Sequence, residues 1–167
     1  MTILKTEQLL LRPYEHGDLE LLVKFYGTPE VMAIRKLGVL SPDQVKAELQ
    51  NLLEHWLNNG FGLWAIFERE SEYFAGECGL RRLECEAEIE LSFGLQPSFQ
   101  KRGLATEAAR AVVHHGFQVL HLSRIIARAR ADNPASHRVF EKLGMNFERE
   151  MNFNSGKVVQ YALQRAN

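Results

Sequence analysis

Seven consecutive residues, Gln100-Lys101-Arg102-Gly103-Leu104-Ala105-Thr106, place a glycine, an alanine and two cations where an extended segment passes into a helical pattern. Glycine and alanine let a backbone approach a ligand closely. The first amides of a helix have no internal acceptor and sit at the positive end of its dipole. Such a turn can therefore cradle a diphosphate, with Lys101 and Arg102 adding charge. It is neither the GxxxxGK[ST] loop nor the GxGxxG dinucleotide fingerprint. On these residues alone, an ordinary loop entering a helix remains the alternative.

A second constellation precedes the turn. Between Ala87 and Leu95 the odd positions Ala87, Ile89, Leu91, Phe93 and Leu95 are apolar, while Glu88, Glu90, Ser92 and Gly94 occupy the even ones. This alternation predicts a strand with one face in the core and two carboxylates on the other. A partly desolvated carboxylate can accept a proton directly or through water. Glu90 is the candidate base and Glu88 shares its face, with two solvated strand charges as the alternative reading. His114-His115 and the alternating Arg128 and Arg130 read more simply as a helix pair at the core edge and as strand-end charges. Trp56 and Trp64 read as core, and Tyr14, Tyr26 and Tyr161 could line a pocket.

The elements that must position these groups follow one another closely. Strands are predicted over Leu9–Tyr14, Phe61–Phe67, Tyr73–Leu83, Ala87–Leu95, Ile125–Ala131, Asn146–Phe153 and Lys157–Arg165, the last two around Asn154-Ser155-Gly156. Helices are predicted over Asp18–Phe25, with Asp18 as cap, over the short Pro29–Ala33, and over Thr106–Leu120. Another runs from Asn133-Pro134 to Gly144. A further helix opens at Ser41-Pro42-Asp43-Gln44, a capping box with proline at the first position. It carries Val45, Leu49, Leu52, Leu53, Trp56 and Leu57 and ends at Asn58-Asn59-Gly60. The order predicts a mixed sheet covered by helices on both faces.

Composition narrows the class. The chain has 167 residues, one ordinary domain, with 46% hydrophobic residues and a net charge of -1. Such balance argues against a nucleic-acid binder. No apolar run approaches the roughly 18 residues of a membrane span, and the N-terminus lacks a signal-peptide pattern. A soluble cytoplasmic protein is expected, monomeric or homodimeric. Cys78 and Cys85 read as free thiols, and no CxxC or HExxH spacing points to a metal.

Taken together, the motifs resemble the GNAT superfamily of N-acetyltransferases, in the branch of the ribosomal-protein N-terminal acetyltransferases (RimJ/RimL-like). The Gln-x-x-Gly-x-Ala turn lies between the strand Glu88–Leu95 and the helix Ala105–Phe117. Asn133-Pro134-Ala135-Ser136 and Phe140-Glu141-Lys142-Leu143-Gly144 follow at the expected distance. The opening Thr6–Leu22, Pro29-Glu30-Val31-Met32, Phe61-Gly62-Leu63-Trp64-Ala65, Gly79-Leu80 and Tyr161-Ala162-Leu163 are similar to that branch as well. The resemblance implies a single-domain α/β (α+β mixed) fold. Its central sheet would be mixed but mostly antiparallel, of about seven strands, with a splayed central pair holding acetyl-CoA. It implies that Phe93 and Leu95 pair with the pantetheine arm. Lys101, Arg102, Gly103, Leu104, Ala105 and Thr106 would bind the diphosphate, and Asn133 would contact the cofactor arm. An amide near Leu95 would polarise the acetyl carbonyl.

The implied reaction moves an acetyl group to a primary amine, a protein or peptide N-terminus or a small molecule such as a polyamine, an amino-acid derivative or an aminoglycoside. Glu90 would be the base. The tyrosine that often protonates the leaving thiolate is replaced by Phe140, which has no proton to give. Ser136, one turn earlier, offers a hydroxyl, and a capping serine is the alternative. The missing tyrosine keeps open a non-catalytic acyl-CoA-binding sensor. No metal is implied.

Overall fold

A computed structural model describes residues 1–33 and 38–167 of the chain. Among these residues eight strands form one sheet, in the order β1-β2-β3-β4-β5-β6-β8-β7. The strands are β1 Leu4–Lys5, β2 Leu9–Pro13, β3 Leu63–Glu68, β4 Phe74–Arg82, β5 Ile89–Leu95, β6 Arg124–Arg130, β7 Asn146–Phe153 and β8 Gly156–Gln164. The helices are α1 Leu19–Tyr26, α2 Pro29–Met32, α3 Pro42–Asn59, α4 Leu104–Gln118 and α5 Pro134–Lys142. The strand beyond the expected seven is β1, a two-residue pairing of Leu4 and Lys5 against Leu11 and Leu10. It is too short to leave a period in the sequence.

Helices cover both faces because β3 alternates. Trp64 and Ile66 enter one core with Leu80, Leu91 and residues of α4 and α5. Leu63 and Ala65 enter the other with Tyr14, Phe74 and residues of α1, α2 and α3. Helix α3 begins as expected. Ser41 Oγ accepts the Gln44 amide at 3.3 Å, Gln44 Oε1 accepts the Ser41 amide at 2.8 Å, and Gly60 ends the helix at φ 74°. Val45, Leu49, Leu52 and Trp56 are buried, but Leu57 is 84% exposed, one position off their stripe. Asp18 does not cap α1. Its carboxylate accepts the Glu15 amide at 2.8 Å and grips Arg12 through two bonds of 2.8 Å. Burial works to raise the Asp18 carboxyl, but the bonds from Arg12 and Glu15 outweigh it and the net shift is downward.

The sheet is antiparallel except between β5 and β6. There the parallel ladder holds only Glu90 against Ile126 and Leu91 against Ala127. Beyond those residues β5 stays with β4 as far as Leu95, and β6 stays with β8 as far as Arg130. The sheet therefore opens into a wedge between Ser92–Leu95 and Arg128–Arg130, the splayed central pair that the sequence resemblance implies.

Candidate active site

The wedge leads into a cavity of about 350 Å³. Its lining includes Ser92, Phe93, Gly94, Leu95, Gln100, Asn133, Ser136 and Phe140. It also includes Tyr26, Glu30, Val31, Met32, Glu48, Arg81, Leu83 and Glu90.

The open edge of β5 carries the first feature. Amides of a strand point alternately to its two neighbours. Gln96 donates to Ala75 of β4. By that alternation the amides of Phe93 and Leu95 point away from β4, into the wedge, where β6 no longer pairs. A ligand with amide groups could extend the sheet there. The Phe93 ring packs 5.9 Å from that of Phe140. Leu95 is buried, and its carbonyl accepts Gln100 Nε2 at 3.1 Å.

At the end of this edge stands the turn. Lys101 and Gly103 both take left-handed backbone, at φ 61° and 77°, and Gly103 caps α4. A Cβ on Gly103 would meet no protein atom within 4 Å, so glycine serves the backbone angle and leaves the space before it open. Among the described residues, no backbone carbonyl outside helices and strands accepts the amides of Lys101, Arg102, Gly103, Leu104 or Ala105. The Leu104 side chain is buried, so this residue faces the open side only through its amide. Arg102 is ion-paired with Glu68 and lies over the Phe99 ring at 5.7 Å. Hydrogen bonds from Ser71 and from Arg102 hold the Glu68 carboxyl below its ordinary range. The first turn of α4 is fixed from outside: Glu107 accepts the Gln8 amide at 2.8 Å and Gln8 Nε2 at 2.7 Å.

The two strand carboxylates part company. Glu90 borders the cavity, half-buried at the first of the two paired positions before the wedge opens. Glu88 does not border it; both its oxygens are held by Arg124 at 3.1–3.2 Å, and Arg124 also binds Glu148. Arg128 and Arg130 border the cavity too, yet they pair with Glu86 and Asp132. Arg81 binds Glu48 at 3.2 Å, and among the described residues its buried Nε has no hydrogen-bond partner.

Asn133 Oδ1 caps α5 through the Ser136 amide at 3.3 Å, and its Nδ2 donates to Ser136 Oγ at 3.0 Å. Ser136 Oγ is thus an acceptor toward Asn133, which leaves its own proton to be donated elsewhere. Asn133 is thus the cap, and Ser136, whose amide it accepts, borders the cavity. Phe140 is buried against Tyr161, with ring centroids 5.2 Å apart. Of the tyrosines, Tyr26 borders the cavity. Its phenol bonds to Glu77, a buried carboxylate that pattern reading passed over. The available signal was an acid inside the small and apolar run Phe74–Leu80. Trp56 and Trp64 are core, edge to face at 4.8 Å, and His115 is buried against Trp64. Cys78 and Cys85 are free, and burial raises the Cys78 thiol. Among the described residues no helix is long and apolar enough to cross a membrane.

Known proteins resemble this chain in sequence and fold. Residues 8–146 match the family described as acetyltransferase (GNAT) domain. An uncharacterised N-acetyltransferase of Bacillus subtilis, YnaD, is 28% identical over 86% of this chain and 82% of its own. The spermidine N(1)-acetyltransferase of Escherichia coli K12 is 26% identical over 84% of this chain and 74% of its own. The structure of RimL, a ribosomal L7/L12 α-N-protein acetyltransferase in complex with coenzyme A, superposes with a TM-score of 0.85 at 20% identity, covering 98% of each chain. With a parted strand pair, an open-amide turn and a family match over most of its length, the chain belongs to the GNAT acetyltransferase family and is an acetyl-CoA-dependent N-acetyltransferase.

Proposed function

We propose that this enzyme acetylates the N-terminal α-amine of a protein or peptide, in the RimJ/RimL manner. The observation that carries the donor half is the unpaired edge of β5 running directly into the turn of open amides. On this reading Phe93 and Leu95 hold the pantetheine arm through their backbone. The amides of Lys101, Arg102, Gly103, Leu104, Ala105 and Thr106 hold the diphosphate, with Lys101 adding charge. Asn133 lies beside the arm and fixes Ser136.

The chemistry then falls to a few groups. Glu90 takes a proton from the ammonium, the freed nitrogen bonds to the acetyl carbon as the carbon–sulfur bond breaks, and the nitrogen's second proton passes to the departing thiolate. A backbone amide near Leu95, on the open edge of β5, supports the charge on the carbonyl oxygen. The Ser136 hydroxyl donates a hydrogen bond to the departing sulfur. A thiol is acidic enough that position can serve where Phe140 offers no proton. The fold shared with RimL, an α-N-protein acetyltransferase, supports a peptide acceptor. Two free thiols accompany a cytoplasmic location on this reading.

A second reading, a polyamine acceptor, draws on Glu30, Glu48 and Glu90 at one cavity and on the relationship to the spermidine enzyme. The test is thiol release from acetyl-CoA across N-terminal peptides and polyamines. Turnover with peptides and none with polyamines is expected. Coenzyme A binding without turnover on any amine would leave a sensor instead.

A further inference from the structure

Directly behind the cavity wall lies a carboxylate to which the reaction above gives no role. Glu77 sits on β4, fully buried, opposite Gly94 of β5. Gly94 borders the cavity and has no side chain to separate the two. Glu77 Oε2 accepts the hydroxyl of Tyr26 at 2.7 Å and that of Tyr14 at 2.9 Å. Burying a carboxylate is costly even when it is hydrogen-bonded. Its neighbours Ala75, Gly76, Cys78 and Gly79 show that this stretch packs well with small and apolar residues. Packing alone does not call for an acid here.

What Glu77 does to the tyrosines is specific. A phenol has one proton to donate. Both protons are committed to Glu77, so each phenol oxygen offers only lone pairs to any other group. Tyr26 borders the same cavity as Glu90. An amine that has given one proton to Glu90 still carries N–H bonds, and these need acceptors. We propose that the Tyr26 oxygen receives an N–H of the acceptor amine, and that Glu77 is the positioning residue that fixes the polarity of that oxygen. With one N–H pinned, the lone pair released on deprotonation is turned to a defined direction, toward the acetyl carbon. This inference rests on the acetyl-transfer reading and adds the group that orients the nucleophile.

The experiment uses the full chain. Wild type is assayed first for coenzyme A binding by calorimetry and for thiol release on the preferred amine; failure there overturns the transferase reading and leaves nothing for Tyr26 to orient. Given turnover, Tyr26→Phe is expected to raise KM for the amine and lower kcat, together losing about tenfold in kcat/KM, with acetyl-CoA affinity unchanged. Glu77→Gln carries the sharper test. The new amide can donate to the phenol oxygen and reverse its polarity, so a comparable loss is expected although Tyr26 is intact and acetyl-CoA affinity is retained. Unchanged amine kinetics in Tyr26→Phe overturn the proposal. So does a Glu77→Gln protein that loses acetyl-CoA affinity and thermal stability in step with activity, since that is the mark of a structural acid. If Glu77→Gln does not fold, the Tyr26→Phe kinetics decide alone.

Discussion

Replacing Gly103 by glutamate tests the turn most directly, because the structure separates its effect on folding from its effect on binding. The residue sits at φ 77° with no protein atom within 4 Å of an added Cβ. The folding cost is therefore the left-handed backbone alone, about 1 kcal/mol. Spread over an unfolding entropy of about 2.1 cal/mol/K per residue, that lowers Tm by only about 3 °C. Binding should suffer far more. The side chain enters the space before five open amides and brings a negative charge to a site read as holding a diphosphate. Coenzyme A at about a hundred times its Kd should stabilise wild type by about 2.7 kcal/mol, near 8 °C in Tm. A hundredfold loss of affinity shrinks that shift to about 1 °C. The assay is a thermal scan of both proteins with and without coenzyme A. A Gly103→Glu protein that melts near wild type and keeps its full ligand shift would falsify the placement of the diphosphate on this turn.

Three further outcomes are expected. Glu90→Gln should leave coenzyme A binding intact and lower kcat, with part of the loss recovered at high pH where the amine arrives deprotonated; a wild-type pH–rate profile would remove Glu90 from the base role. Ser136→Ala should lose less, on the order of tenfold in kcat. Its loss should shrink with an acyl donor whose thiolate leaves more readily, and insensitivity to the donor would leave Ser136 only as a partner of the Asn133 cap. Glu148, held down to about 2 from the usual 4.5 by hydrogen bonds from Arg124 and then Gln160, ties β7 to the start of β6. A depressed carboxyl stabilises the fold above its unfolded pKa, and that contribution drains away as pH falls from 4.5 toward 2. Glu148→Gln should therefore cost up to about 1 kcal/mol at pH 7, limited by solvent screening, and less by pH 3. A gap in urea midpoints that does not narrow with acid would refute the pairing.

Where the sequence was legible, local chemistry and burial agreed. The Ser41 capping box and the alternation of Ala87–Leu95 each have one cause, and both came through, the strand losing only its first two residues to the hairpin. Leu57 shows the limit of apolar periodicity: only a partner surface decides how wide a helix stripe is buried. Asp18 shows another limit, since the grip of Arg12 competes with a cap and depends on a fold not yet formed. The site divided along the same line. Backbone features such as the Gly103 turn were readable because glycine reports its own conformation. Side-chain partnerships across strands, Glu88 with Arg124 or Glu77 with Tyr26, join residues 36 and 51 positions apart and leave no local trace.

The position of Glu90 gains its meaning from the point at which the ladder ends. Glu88 and Glu90 share one face of one strand, and their residue types alone could not rank them. Glu88 lies on the closed side of the wedge, where Arg124 draws it to Glu148 and closes that end of the sheet. Glu90 is paired with Ile126 one residue before β5 and β6 part. The amides of Phe93 and Leu95 begin two residues later, on the edge that the parting exposes. One structural event, loss of pairing after Leu91, thus exposes backbone donors beside a carboxylate, which the proposed reading assigns to the two substrates. Restoring the ladder would close the donor edge without touching any side chain named as reactive. On the proposed reading the reaction depends on a defect in the sheet as much as on its residues, with the Arg124 ion pairs lying at the opposite, closed end.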